Sequence, residues 1–226
     1  MFGAIIYVPL YLQIVKGATP TKSGLLMLPM MVGIIGTSIA SGRLISRVGR
    51  YKWFTVAGTA IMAAGLGLFT QLQVDTPLWQ SFIYMLVIGI GLGMAMQPLI
   101  LAVQNSLEMR DMGAGTSAAT FFRSLGGSVG VAALGAVLTN RLAVEFGAGR
   151  QVSINEPASL KKLPAPVLDM IQHGFVRALH PIFLVAALVS LIAVALCLVL
   201  PDRELHGAGP GGAATDAAEL AEASVG

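Results

Sequence analysis

The sequence predicts an all-α protein, a polytopic membrane bundle of six transmembrane helices. Of its 226 residues, 55% are hydrophobic and only 11% are charged, and the mean hydropathy is +0.79. Soluble domains carry roughly 25% charged residues, so this chain lacks the polar groups to cover a water-soluble surface. The apolar residues also fall into long runs separated by short polar connections, a pattern typical of repeated membrane crossings.

The six predicted spans follow one another along the first 200 residues. A span needs about 20 apolar residues to cross a hydrocarbon core of roughly 30 Å. The first run is shorter than that, which leads us to expect a truncated span with residues missing before Met1. The spans cover residues 1–15, 24–45, 53–73, 79–105, 114–140 and 181–200.

Two stretches are predicted to lie outside these spans. Residues 141–180 form an extracytoplasmic loop, and near its end Leu168, Ile171, Phe175 and Leu179 stand close to helical spacing. We therefore expect residues 167–179 to form an amphipathic helix that lies on the membrane surface. Residues 201–226 are rich in Gly and Ala and lack aromatic residues, so we expect a disordered cytoplasmic tail.

The densest group of positive charges separates the second and third spans. Arg43, Arg47, Arg50 and Lys52 occupy ten positions between two apolar runs. Short loops rich in Lys and Arg favour the cytoplasmic face. We therefore expect this loop, and both chain ends, on the cytoplasmic side of the plasma membrane. The loop at 141–180 carries several further cations, so this orientation depends on counting the short loops alone.

The basic loop resembles the signature that the major facilitator superfamily carries between two of its spans. The matching residues are Gly42, Leu44, Arg47, Gly49 and Arg50. Ser46 stands where the superfamily signature has an aspartate. The resemblance implies that this segment belongs to the inner gate of a transporter.

Three further segments are similar to one branch of that superfamily, the fourteen-span drug:proton antiporters. They are residues 8–13 followed by Gly17, 23–25 and 28–29, the run that contains Gly89, Gly91, Gly93 and Pro98, and residues 123–131. The resemblance covers nearly all of residues 1–200 and implies the C-terminal half of such a carrier, with three plus three spans related as inverted repeats. It implies proton-coupled efflux of drugs or metabolites by alternating access, with the main proton-binding acid in the missing N-terminal half.

Glycines at helical spacing are candidate packing sites between spans. Gly89 and Gly93 lie one turn apart, as do Gly126 and Gly130, and Gly127 adjoins the second pair. Helices in lipid associate by close packing at small residues. The pattern fits plain packing and also a moving gate that slides on these faces, and both interpretations stay open.

Arg123 is the only charge well inside a predicted span. It lies nine residues after Ala114, about 13 Å along a helix, and its exposure to lipid would cost roughly 2.5–3.5 kcal/mol. We expect it either to face the translocation path or to extend to the inner headgroups. The other candidates for the path are Gln97, Pro98, Gln13, Tyr7 and Phe122.

Other classes of function find little support in the residues. Cys197 is the single cysteine, and the three histidines fall in no metal-binding spacing, so we expect no enzyme activity, cofactor or metal. A net charge of +3 does not indicate a nucleic-acid partner. The expected partners are membrane lipid, a small amphipathic substrate, protons and the missing half. The alternatives are a non-transporting truncated fragment, an interaction module that pairs with another half, and a self-assembled six-span channel.

Overall fold

The computed structural model describes residues 2–105, 107, 109–146 and 164–199, and these residues form helices joined by short connections. The helices are α1 (Phe2–Ile14), α2 (Pro20–Leu26), α3 (Leu28–Val48), α4 (Lys52–Phe69), α5 (Leu78–Asn105), α6 (Met112–Phe146) and α7 (Ala165–Val199). A 3-10 turn at Met109–Asp111 precedes α6. The described part of the chain contains no β-strand, so the all-α prediction is confirmed.

Five helical segments are long and apolar enough to cross a membrane. They are Pro20–Val48, which joins α2 and α3, Lys52–Phe69, Leu78–Gln104, Met112–Glu145 and Pro166–Val199. The shorter apolar helix Phe2–Ile14 stands before them, so each predicted span corresponds to a helix. These lengths and compositions make the chain a multi-pass membrane protein.

The break between α2 and α3 follows from a proline. Pro29 lies in the first turn of α3, where its missing N–H costs no hydrogen bond. The N–H of Met27 instead bonds to the carbonyl of Gly24 at 3.2 Å. The regular helix is therefore interrupted at Met27 and continues as a second helix.

The basic segment differs from the loop expected there, because α3 continues through Val48. Gly42, the first residue of the matching motif, lies inside the helix. Arginine is a good helix former and is favoured in a last turn, and Arg47 occupies the last turn of α3. The helix ends at Gly49, whose φ of 72° is left-handed and whose N–H bonds to Ile45.

The core lies between α1, α4, α5 and α7. Phe69 of α4 is fully buried, and its ring lies 5.1 Å from Phe183 of α7 and 6.0 Å from Tyr84 of α5. α5 makes the most contacts, chiefly with α3 and α4, whereas α6 makes fewer contacts with its neighbours. α5 is therefore the central helix and α6 the most loosely packed long one.

The amphipathic segment at 167–179 is not a separate surface helix, and this prediction is wrong. It forms the first part of α7, which continues through Pro181 to Val199. Ile171, Phe175 and Leu179 are buried in the core. Helical spacing of apolar residues suits a protein core as well as a membrane surface, and one proline removes only one backbone hydrogen bond.

The outer surface of α7 is apolar where a soluble protein would be polar. Its exposed residues include Leu184, Leu188, Leu191, Ile192 and Leu196. An apolar patch of this extent indicates contact with lipid or another protein. The rest of the expected loop, at 147–163, and the expected tail at 201–226 lie outside the described residues.

Candidate functional site

A cavity of about 420 Å³ lies between α1, α4, α5, α6 and α7. Its walls are almost wholly apolar. They include Phe2 and Gly3, Thr59 and Met62, Leu92, Ala95, Met96 and Leu99, Val131 and Leu134, and Val185, Ala186 and Val189. A concave apolar site with few polar groups is the usual form of a small-molecule site in a protein.

Arg123 of α6 lines this cavity, together with Gly126, Gly127 and Gly130. Residues three, four and seven positions apart share one face of a helix, and this face of α6 is the one turned inward. Arg123 lies eleven residues after Met112, about 17 Å from the start of the helix. Among the described residues it is the only ionisable group that lines the cavity.

The Arg123 guanidinium is half-buried and forms no ion pair or hydrogen bond within the described part of the chain. The environment around it is apolar, so a negative group that entered the cavity would meet a positive charge that no described residue compensates. Coulombic attraction is several times stronger in such a setting than in water.

Of the three glycines beside Arg123, Gly127 packs closely against another helix, whereas Gly126 and Gly130 do not. A Cβ atom built on Gly126 or Gly130 would meet no atom within 4 Å, whereas one on Gly127 would meet the ring of Phe2. Gly126 and Gly130 therefore leave open space next to the guanidinium.

Gly89 and Gly93 lie elsewhere, at the crossing of α5 with α3. A Cβ atom on Gly89 would collide with the carbonyl oxygen of Met30, and one on Gly93 with that of Ile34. The backbones approach so closely that Ser38 Oγ donates a hydrogen bond of 3.3 Å to the Gly93 carbonyl. This is the small-residue packing that helices in lipid use.

Other glycines, among them Gly33 and Gly58, have the same role and were missed in the sequence. A Cβ atom on Gly33 would lie 2.9 Å from the carbonyl oxygen of Leu86, and one on Gly58 would lie 2.7 Å from the backbone nitrogen of Ala95. In the sequence, Gly33 stands one turn before Thr37, another small residue. This spacing of small residues could have indicated a helix-packing face.

Tyr7 and Gln13 of α1 do not line the cavity. The buried Tyr7 hydroxyl donates to the Val131 carbonyl at 3.4 Å and so attaches α1 to α6. Gln13 Nε2 donates to Ser23 Oγ at 3.0 Å and attaches α1 to α2. Both side chains hold helices together.

Gln97, Pro98 and Phe122 also lie away from the lining of the cavity. Pro98 is buried inside α5, but the neighbouring Gln97 is exposed, and its amide makes no hydrogen bond within the described residues. Phe122 is 66% exposed and touches Phe121 edge to face. Of the predicted path residues, the structure places Arg123 alone at the cavity.

Sequence reasoning missed the opposite wall of the cavity. Thr59 and Met62 of α4, and Met96 of α5, line it, yet their sequence positions resemble those of lipid-facing residues in the same helices. Only the arrangement of the helices distinguishes the two faces.

The residues of the basic motif stand at the end of α3, away from the lining of the cavity. Leu44, Arg47 and Arg50 are exposed. Ser46 Oγ donates to the Arg43 carbonyl of its own helix at 2.9 Å. The motif therefore presents its charges at one end of the bundle.

At the opposite end, three elements hold the loop between α4 and α5. The Tyr11 hydroxyl donates to the Gln73 carbonyl at 3.1 Å, and His180 Nε2 lies 2.8 Å from the Leu72 carbonyl. Lys16 Nζ donates to the carbonyls of residues 74 and 76, at 2.5 and 2.6 Å. Burial lowers the pKa of Lys16, and the nearby Asp75 carboxylate partly opposes that shift.

A second, polar recess of about 350 Å³ lies between the end of α6 and the start of α7. Arg177 pairs with Glu145 at 3.8 Å, and His173 Nδ1 lies 3.4 Å from an Asp169 carboxylate oxygen. These side chains are largely exposed, and within the described ranges no three potential ligands form a metal site.

The fold defines a class of protein, a multi-pass helical membrane protein, here with an apolar cavity between its helices. Residues 1–131 match the Major Facilitator Superfamily. This match covers more than half of the chain, and the chain belongs to the major facilitator superfamily of transporters, not to an enzyme family. The resemblance seen in the basic motif is thereby confirmed.

Curated relatives include a transporter that is named for the same family. An uncharacterized MFS-type transporter of Mycobacterium tuberculosis is 40% identical over 215 residues, which are 91% of this chain and 31% of that protein. The multidrug transporter protein MdtP of Bacillus subtilis is 41% identical over 141 residues, 62% of this chain and 26% of that protein. A tetracycline resistance determinant of Streptomyces rimosus is 27% identical over 239 residues, 91% of this chain and 68% of that protein. The chain thus spans about a third of the length of the Mycobacterium tuberculosis relative.

Proposed function

We propose that this chain is the C-terminal half of an efflux carrier that exports small amphipathic molecules. The observation that carries the proposal is the apolar cavity of about 420 Å³ with Arg123 in its wall. Such a volume falls within the range of drug-sized ligand sites, about 300–1,000 Å³. The names of two relatives, a multidrug transporter and a tetracycline resistance determinant, support drugs or metabolites as the cargo.

We propose that the complete carrier works by alternating access. Two six-span bundles rock about a site near the middle of the membrane. Within this bundle α6 makes fewer contacts with its neighbours than the other long helices, and Gly126 and Gly130 on its inward face border open space. A shift of α6 would therefore open or close the cavity at little cost in packing.

We propose that proton entry drives the export. Among the described residues no Asp or Glu lines the cavity, so the proton-binding acid of the cycle belongs to the other half of the carrier. The resemblance to drug:proton antiporters supports that division of roles.

We propose that the protein lies in the plasma membrane, with the basic end of α3 on the cytoplasmic side. Arg43, Arg47 and Arg50 are exposed at that end, and cytoplasmic loops carry an excess of such residues. Both ends of the chain then lie on the same side.

Transport in liposomes tests this function. The protein would be expressed from its complete gene, purified and reconstituted, and the movement of anionic, neutral and cationic amphipathic dyes followed under an imposed pH gradient. We expect at least one dye to move against its own gradient and to stop when a protonophore collapses the pH difference. Absence of movement for all three dyes, while the pH gradient persists, would contradict the proposal.

A further inference from the structure

We infer that the cavity binds amphipathic anions, with the acidic group of the ligand at Arg123 and its apolar body against α4, α5 and α7. The inference rests on the proposed function, because it takes the cavity as the site of the transported molecule. It adds the charge class of that molecule, which the relatives and the family do not specify.

The charge of the cavity wall is the first argument. Arg123 is the only ionisable lining residue in the part of the chain that the structure describes, and it has no partner there. A guanidinium in a largely apolar site binds a carboxylate or sulfonate through two parallel hydrogen bonds. A cationic ligand would meet repulsion from Arg123 and no carboxylate among the described lining residues.

The shape of the wall beside Arg123 is the second argument. Gly126 and Gly130 follow Arg123 on the same face of α6, and neither has an atom within 4 Å of the place where a Cβ would stand. An acidic group can therefore approach the guanidinium without displacing a side chain. Larger residues at these positions would fill that space.

The opposite wall is the third argument, because it suits the apolar part of the same ligand. Met62 of α4 and Met96 of α5 line it, with Val185 and Val189 of α7. Methionine side chains adapt to ligands of different shape. Phe2 is the single aromatic residue in the described wall, so a cation would lack the cage of rings that cations favour.

Three ligands that share a naphthalene ring test the inference by equilibrium dialysis. They are naphthylacetate, which is an anion, naphthylacetamide, which is neutral, and naphthylmethyl-trimethylammonium, which is a cation. The protein, expressed from its complete gene, is purified in detergent. We expect naphthylacetate to bind roughly tenfold or more tightly than the amide, since a hydrogen bond to a charged group contributes at least that factor, and the cation to bind weakest.

Substitutions at Arg123 then test whether its guanidinium is the group that binds the acidic group of the ligand. Arg123→Gln should weaken naphthylacetate binding to the level of the amide and leave the amide unchanged, which also shows that the variant is folded. Arg123→Lys should give intermediate binding, because lysine keeps the charge but loses the paired hydrogen bonds. Arg141→Gln is the matched control, since Arg141 lies on the same helix, is exposed and does not line the cavity. It should bind all three ligands like the unaltered protein.

Two results would overturn the inference. In one, the cation binds more tightly than the anion. In the other, Arg123→Gln leaves naphthylacetate binding unchanged, as it would if an acid from the other half already neutralised Arg123. The proposed transport function would survive either result, provided that dyes still move in liposomes. Arg123-dependent anion binding without any dye movement would instead support the inference and remove the transport proposal.

Discussion

Single glycines determine how closely α3 and α5 approach each other. Gly89 and Gly93 of α5 face backbone carbonyls of α3, and Gly33 of α3 faces the backbone of α5 in return. In lipid there is no hydrophobic drive between helices, so van der Waals contact and hydrogen bonds across such crossings hold the bundle together. The bond from Thr37 Oγ1 to the Ile90 carbonyl, at 3.2 Å, exists only because the helices are this close.

Replacing Gly89 with alanine should therefore destabilise the bundle. The added Cβ would collide with the Met30 carbonyl oxygen, which cannot move without shifting α3. Overpacking of this kind costs about 1–3 kcal/mol. Unfolding of the purified protein by heat or by SDS would measure the loss. Gly36→Ala is the matched control, because a Cβ at Gly36 meets nothing within 4 Å, and equal stability of the two variants would contradict the explanation.

Gly49 has a different role, since its backbone is left-handed with φ of 72°. Gly49→Ala should cost about 1–2 kcal/mol, because a Cβ is strained in that conformation. Gly42→Ala, inside the same helix and in open space, should be neutral or slightly stabilising, as alanine is the better helix former. The midpoints of thermal unfolding of the two variants, measured in the same detergent, test this prediction. A Gly49→Ala midpoint at or above that of Gly42→Ala would show that the helix end adapts freely.

At the scale of elements, the loop between α4 and α5 is held by side chains from α1, from the turn after α1 and from α7. Tyr11, Lys16 and His180 all donate to carbonyls of residues 72–76. None of these donors is close to the loop in sequence. The loop therefore joins the start of the bundle to its last helix at the end opposite the basic motif.

Removing one of these bonds should loosen the loop and leave the core intact. Tyr11→Phe deletes a hydroxyl that bonds to the Gln73 carbonyl, and a net loss of about 1 kcal/mol is expected. Amide hydrogen exchange should rise at residues 70–77. Tyr84→Phe is the control, since the Tyr84 hydroxyl makes no hydrogen bond within the described residues. Unchanged exchange in Tyr11→Phe would mean that the other two contacts suffice.

At the scale of the whole molecule, the bundle is apolar outside and carries charge at its ends and at one point of its cavity. Val48 and Gln73 lie beyond opposite ends of α4 and are both exposed. The helix between them is 18 residues long, about 27 Å, close to the thickness of a hydrocarbon core.

Cysteines at these two positions should react from opposite sides of the membrane. In a Cys197→Ser background, Val48→Cys should be labelled by an impermeant maleimide only after the cells are opened. Gln73→Cys should be labelled in intact cells. Labelling of both variants is measured as an increase in apparent mass on a denaturing gel. Labelling of Val48→Cys in intact cells would invert the proposed orientation.

The sequence by itself determined the class of protein. Hydropathy and the scarcity of charge depend on composition along a local stretch, and a helix in lipid satisfies its own backbone hydrogen bonds. The number of the apolar helices and most of their limits therefore follow from local residues, whereas α7 begins well before the predicted sixth span. The motif that contains Arg47 and Gly49 likewise led to the superfamily, because a signature is a local pattern.

The tertiary structure decided which face of each helix meets which neighbour. It packed one face of residues 167–179 against the core, and it directed Tyr7 and Gln13 to helix contacts. It also separated Gly89, which is packed, from Gly130, which borders a cavity with Arg123. The physical reason is that a helical face has the same spacing whatever covers it, and the covering atoms come from residues far away in the chain.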